Sequence, residues 1–231
     1  TLMNVADFDE APLPIDVVSW KPAAETQTRH RNPLLSERTG VGPRNIGIDW
    51  LHNLSLGVFQ FVMEALVWEL LLANAYHVAG SSQARFELGV ARMRRELFEW
   101  YAEERRQNRV HCQVQNFLPS MLGSAGGRKF ALHAAETNGF LHFAASLLRR
   151  HGGALGGQQE DFNLAIESAI TLMRIIKDHP RRVPPHDMQL FVDCVCVHIR
   201  VIERLGVTGK PKHHFLCEMV GRWVWATNPN A

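Results

Sequence analysis

The segment from Asp49 to His52 carries residue types that can do chemistry. A carboxylate and an imidazole stand three positions apart, directly before the most apolar stretch of the chain. If Asp49 ends a strand, both groups face one opening, which suits a divalent metal ion or catalytic proton transfer. If Asp49 caps a helix, its carboxylate only accepts the free N–H groups of the first turn. The sequence leaves both interpretations open.

A second set of candidate ligands lies near the end of the sequence. Cys194 and His198 are four positions apart, as are His213 and Cys217, so each pair shares one face of a helix. One interpretation is a zinc ion that bridges two helices through these four side chains. The alternative is ordinary core packing, because the tight C-x-x-C spacing is absent and free cysteine is a common small core residue.

Composition limits the classes of function. With 231 residues and 46% hydrophobic content, the chain can bury a sizeable core. A net charge of +2 does not indicate a nucleic-acid partner. Four cysteines are too few for a secreted disulfide scaffold, which favours a reducing intracellular compartment. Phosphate-loop, dinucleotide, serine-hydrolase and zinc-protease motifs are absent, so no small-molecule substrate is indicated. Because the sequence begins at Thr1 without a leader, we expect a piece of a longer polypeptide.

The 19 residues from Leu54 to Leu72 are apolar enough to be tested as a membrane span. Glu64 and Glu69 are five positions apart and fall on different sides of a helix. Each would cost roughly 2.5–3.5 kcal/mol near a bilayer centre, and Gln60 adds to that. The pattern therefore predicts a buried helix and no membrane partner.

The elements that position these residues are predicted to be helices after an irregular start. Residues 1–46 are rich in proline, with strand candidates only at Ile15–Trp20 and Asn45–Asp49. Helical periodicity then predicts helices from Asp49 to about Tyr76 and at about 82–108, 127–151, 158–178, 185–206 and 211–226. We expect a mainly α fold, a multi-helix bundle-like or orthogonal domain over 47–231 with a small irregular or short-strand N-terminal segment.

The predicted second helix carries many arginines interleaved with glutamates. Such a mixture is typical of a solvated face with ion pairs four residues apart, and a nucleic-acid surface is the alternative. If the chain binds DNA, we expect weak, salt-sensitive affinity. The arginines expected to carry it are Arg92, Arg95, Arg105, Arg149, Arg150, Arg181 and Arg182.

Several stretches, in order, resemble eukaryotic cut-and-paste transposases of the CACTA and KDZ groups. The first block, Gly47-Ile-Asp-Trp-Leu-His-Asn-Leu-Ser-Leu-Gly-Val58, resembles their D-x-x-H, L-G-V segment. The second block, Lys129-Phe-Ala-Leu-His-Ala-Ala-Glu-Thr-Asn-Gly-Phe-Leu141, resembles their K-A-x-E-x-R-x-x-L helix. The third block, Phe191 to Leu205 with Lys210-Pro-Lys-His-His-Phe-Leu-Cys-Glu-Met219, resembles their late helix and K-x-H-x-L-x-H segment. The resemblance covers residues 45–230.

The resemblance implies an RNase-H-like nuclease core interrupted by a helical insertion. In that family three carboxylates hold two divalent metal ions, such as Mg²⁺, for DNA strand transfer. Asp49 and His52 match the D-x-x-H block, and residues 1–46 would be a remnant of the core. The family implies a nuclear location, DNA as partner and association of protomers.

This sequence departs from the family at its catalytic positions. The first catalytic Asp should lie on an earlier strand, and Asp7, Asp9 and Asp16 are poor candidates in proline-rich sequence. The closing Glu should follow the segment after Pro229, and Glu136 and Glu218 match positions inside the insertion. We therefore expect a catalytically silent helical portion. The alternatives are a non-catalytic helical interaction module and a small zinc-stabilised helical domain.

Overall fold

The computed structural model describes residues 51–179, 183–207, 212, 213 and 216, without the side chains of Leu51, His52 and Pro185. The predicted strands at Ile15–Trp20 and Asn45–Asp49, together with the whole 1–46 segment, lie outside the described residues. Within them the fold is mainly α, as the sequence predicts.

The first helix is the centre of the structure. A π-helical segment, Leu51–Val58, runs directly into helix α1, Phe59–Leu72. α1 is apolar on nearly all sides, with Val62, Met63 and Leu66 fully buried, and a helix of this kind must be surrounded by others. It packs against the next three α-helices named below, and its Phe59 ring also lies near the His198 ring of the last.

The predicted membrane candidate is this same helix. Asn53–Leu72 is long and apolar enough to cross a membrane, and 67% of its most apolar window is buried inside the protein. Glu69 pairs with Arg128 at 3.1 Å. The burial agrees with the expected role of a core helix.

Helix α2, Ser82–Arg106, is long and amphipathic. The Ser81 hydroxyl caps its first turn by accepting from the Ala84 N–H. Helical spacing predicts one apolar face that includes Val90, Met93, Leu97 and Phe98; the first three are buried, whereas Phe98 remains 37% exposed. Phe98 follows Leu97 directly, so the turn of the helix carries its ring toward the edge of the buried face.

The expected helix over 127–151 is shorter than predicted. Residues 127–133 instead form the second strand of a hairpin and an extended connection, and helix α3 covers Ala134–His151. Strand β1, Gly123–Ser124, pairs antiparallel with β2, Gly127–Arg128. Gly123 has a φ of +77°, which favours glycine, and the Glu136 carboxylate accepts from the His133 N–H to fix the helix start.

Two further helices complete the described bundle. A 3₁₀ segment, Gly152–Gln158, joins α3 to α4, Gln159–Asp178, and α5 covers Pro185–Arg204. α4 packs along both α3 and α5. Of the predicted last helix, residues 212, 213 and 216 are helical and the others lie outside the described residues.

Candidate functional site

The first two blocks that carry the family resemblance meet at the start of the first helix. Ser55, in the π-helical segment, donates a hydrogen bond of 2.9 Å to the Asn138 side-chain oxygen on α3. Ser55 is 2% exposed, so this contact is inside the protein. Asn138 therefore joins the first two resembling blocks through its side chain.

A second contact joins the start of α1, just after the first block, to the second block. The Gln60 amide donates to the Leu132 carbonyl at 2.6 Å and to the Thr137 hydroxyl at 3.3 Å. The Thr137 hydroxyl in turn donates to the His133 carbonyl at 3.0 Å. Thr137 is fully buried, so these bonds satisfy polar groups that would otherwise be costly inside the core.

The third block reaches the same helix from the other end of the sequence. The Lys212 ammonium donates to the Leu56 carbonyl at 2.7 Å, across 156 residues of sequence. The His213 ring lies 5.6 Å from the Phe61 ring, and the His198 ring lies 6.0 Å from the Phe59 ring. The second and third blocks thus contact the first block at Ser55 and Leu56, and they also contact residues 59–61 just after it.

Of the Asp49–His52 pair predicted to do chemistry, the structure describes only the backbone of His52. Asp49, the candidate metal ligand, lies outside the described residues, and so does the side chain of His52. Within the described part of the chain, no three His, Cys, Asp or Glu side chains are grouped so that they could hold a metal ion. The choice between helix cap and metal ligand for Asp49 therefore stays a prediction.

The predicted zinc ligands that the structure describes lie in different surroundings. His198 is fully buried, and its Nδ1 lies 3.1 Å from the Ala165 carbonyl, which fixes this nitrogen as the donor. Burial lowers the pKa of His198 to about 4, and the neighbouring His213 adds to that effect. Cys194 is buried on the same helix, but its charged neighbours are Asp193 and Arg174. Cys217 lies outside the described residues.

The predicted DNA-binding arginines lie at separate places on the surface. Arg105 and Arg149 are exposed, and Arg181 and Arg182 lie outside the described residues. Arg92 donates to the Tyr76 carbonyl and Arg95 pairs with Glu99 at 3.7 Å. Arg92 and Arg105 are about 140° apart around the axis of α2, so they belong to different flanks of that helix.

A buried carboxylate that sequence reasoning missed lies at the end of α2. Glu104 is 8% exposed and is held by the Arg109 guanidinium at 2.7 Å and the His111 ring at 2.9 Å. The hydrogen bond from Arg109 is the main reason that the pKa of Glu104 is lowered to about 2. The His111 ring also lies 4.9 Å from both the Trp100 and the His142 rings. This cluster anchors the chain where it leaves α2.

A related arrangement joins α2 to the end of α3. The Glu96 carboxylate lies 3.0 Å from the His151 ring nitrogen and 3.9 Å from the Arg150 guanidinium. The His151 ring packs 4.6 Å from the Tyr76 ring. Burial raises the pKa of Tyr76 far above its ordinary value, and Glu96 adds to the rise. The only sequence signal for this contact is a histidine at the end of one predicted helix and a glutamate in the helix before it.

Comparison with known proteins adds no relative. Searches of protein-family models, curated proteins and solved structures each gave no significant match to this chain. The functional argument therefore depends on the residues and their contacts.

Proposed function

We propose that this chain is the helical insertion portion of a transposase-like protein of the CACTA or KDZ type. Its role would be to position DNA or partner protomers for metal-dependent strand transfer. The observation that carries the proposal is that the second and third resembling blocks both contact the first block, at Ser55 and at Leu56.

The convergence supports the proposal because the blocks are far apart in sequence. The contacts from Ser55 to Asn138 and from Lys212 to Leu56 span 83 and 156 residues. Because α1 is the central helix, many segments of the surrounding helices lie near it, so the support comes from the specific polar contacts between the blocks. In a family of sequences that share one core, residues in contact constrain one another, so the resembling blocks are expected to touch.

The proposal places chemistry outside the described helices. A strand-transfer core needs several carboxylates around its divalent metal ions. The described residues do not supply such a group, so no catalytic step is assigned to them. Asp49 and His52 would then stand where the chain passes from the core into the insertion.

The second candidate function is a non-catalytic interaction module. The ion pairs of α2 favour it, because Arg95 and Arg106 are paired with Glu99 and Glu103 and so present less free positive charge to DNA. Leu72 and Leu88 are also more than half exposed, which is common at protein interfaces.

One binding experiment separates the two functions. A fluorescently labelled duplex is titrated with the full chain at low salt, and the Arg149→Glu/Arg150→Glu double variant is compared with Arg174→Glu. The transposase-like function predicts that the double variant binds at least about tenfold more weakly, since it reverses two neighbouring exposed charges. Arg174 is exposed on α4 and outside the predicted set, so its reversal should have a smaller effect. Absence of binding by the unmodified chain would favour the interaction module.

A further inference from the structure

A cleft of about 440 Å³ opens between the end of α1, the start of α2 and the hairpin. Trp68 and Leu71 contribute from α1, Phe86 from α2, and Ser124 from the hairpin. The volume is that of a site for a small ligand or for one or two side chains of a partner. The cleft lies at the opposite end of α1 from residues 55–61, and none of its lining residues belongs to the three blocks.

The floor of the cleft is aromatic, with Trp68 only 3% exposed and the Arg128 guanidinium 5.3 Å from its ring. The Phe86 ring stacks on the Trp68 ring, with centroids 5.1 Å apart and an angle of 20° between the planes. The Trp68 indole N–H donates to the Leu122 carbonyl at 3.1 Å, which fixes the indole against the segment before the hairpin. Leu72 completes the apolar wall and is 55% exposed, so its side chain faces solvent at the edge of the cleft.

The rim of the cleft is positively charged. Arg85 lines it, and no Asp or Glu is among the lining residues. Arg85 makes no ion pair within the described part of the chain. The nearby Glu69 is paired with Arg128, and Glu87, which keeps its charge while accepting from the Gln83 amide, is not among the lining residues. The first turn of α2 also contains no acidic residue, so its partial positive charge adds to that of Arg85.

We propose that this cleft is a docking site for an acidic peptide segment of a partner protein that carries one aromatic or large aliphatic side chain. The apolar side chain would enter between Leu72 and the Trp68–Phe86 floor, and flanking carboxylates would pair with Arg85. Charge complementarity selects an acidic partner, and the exposed apolar wall gives such a partner a reason to bind. The site is independent of the proposed transposase-like function.

The test is a binding titration with a defined probe. A fluorescein-labelled decapeptide with two acidic residues on each side of a Phe-Leu pair is titrated with the full chain, and anisotropy is recorded. We expect saturable binding that weakens as salt rises, since the rim contribution is electrostatic. Arg85→Glu and Leu72→Asp should each weaken binding at least tenfold. Arg200→Glu, an exposed charge reversal on α5, should bind as the unmodified chain does.

The remaining outcomes decide against the site. Absence of saturable binding would overturn the proposal, as would equal binding of a peptide with lysines in place of the acidic residues. Unchanged affinity in both cleft variants, with their helical circular dichroism intact, would place the peptide elsewhere. If sedimentation shows a dimer of the full chain that Leu72→Asp converts to monomer, a second copy occupies the cleft and the peptide proposal fails.

Discussion

The Ser55 hydroxyl donates a 2.9 Å hydrogen bond to the Asn138 side-chain oxygen, joining the π-helical entrance of the first helix to α3. Ser55 is buried and Asn138 is half-buried, so little water competes for the bond. The contact links two of the three blocks that resemble transposases. Its contribution to stability can be measured directly.

A double-mutant cycle should detect this bond as a coupling between Ser55→Ala and Asn138→Ala. We expect a coupling of about 0.5–1.5 kcal/mol in the free energy of unfolding, the usual net value of such a bond. The measurement is urea unfolding of the four proteins. A control cycle with Ser55→Ala and the exposed Ser82→Ala should show additivity, and additivity in the Ser55–Asn138 cycle would refute the contact.

Gly139→Ala should destabilise the protein by about 1–3 kcal/mol, the usual cost of overpacking. A Cβ atom at this position would lie 2.3 Å from the Cys112 carbonyl oxygen, so either α3 or the segment that contains Cys112 must move. The matched control is Gly153→Ala, where nothing lies within 4 Å of the added carbon. Thermal unfolding of both variants checks the prediction, and equal melting temperatures would contradict the close approach.

Acid should destabilise the folded protein partly through His198. Its pKa is lowered from 6.5 to about 4 by burial, so the unfolded chain binds this proton more readily than the folded one. The stability contribution is fully present above pH 6.5 and is lost as pH falls toward 4, by roughly 3 kcal/mol. His198→Gln should therefore flatten the unfolding free energy between pH 6.5 and 4.

The control for His198 is an exposed histidine. His77→Asn changes a solvent-facing side chain in a left-handed turn, which asparagine also adopts. This variant removes an exposed histidine and is the control for the loss of an imidazole as such. A His198→Gln profile as steep as the unmodified one would show that His198 is not the buried neutral group.

Periodicity could predict the helices because it reports how each helix meets the core. The spacing of Val90, Met93 and Leu97 predicts the buried face of α2, and all three are buried. The same spacing places Glu104 on that face, where a carboxylate is not expected. Only Arg109 and His111, which follow the end of the helix, make its burial tolerable.

The hairpin and the contacts between blocks depend on features that periodicity does not report. The hairpin requires the positive φ of Gly123. In a single sequence, glycines at 123, 126 and 127 indicate a flexible segment but do not specify this turn. The approach of Lys212 to Leu56 is fixed by the packing of the whole bundle. The order of the resembling blocks along the sequence indicates that they belong to one family pattern. That the blocks touch can be seen only in the structure.

The most direct test of the proposed function is the salt dependence of DNA affinity for the unmodified chain. Binding of a 30-base-pair duplex is measured by anisotropy between about 50 and 200 mM salt, the range in which released counterions change affinity most visibly. We predict measurable affinity at low salt and a linear fall of log K with log salt, with a slope of about −2 to −4 for two to four phosphate contacts. No binding at 50 mM salt, or binding that does not change with salt, would contradict the account.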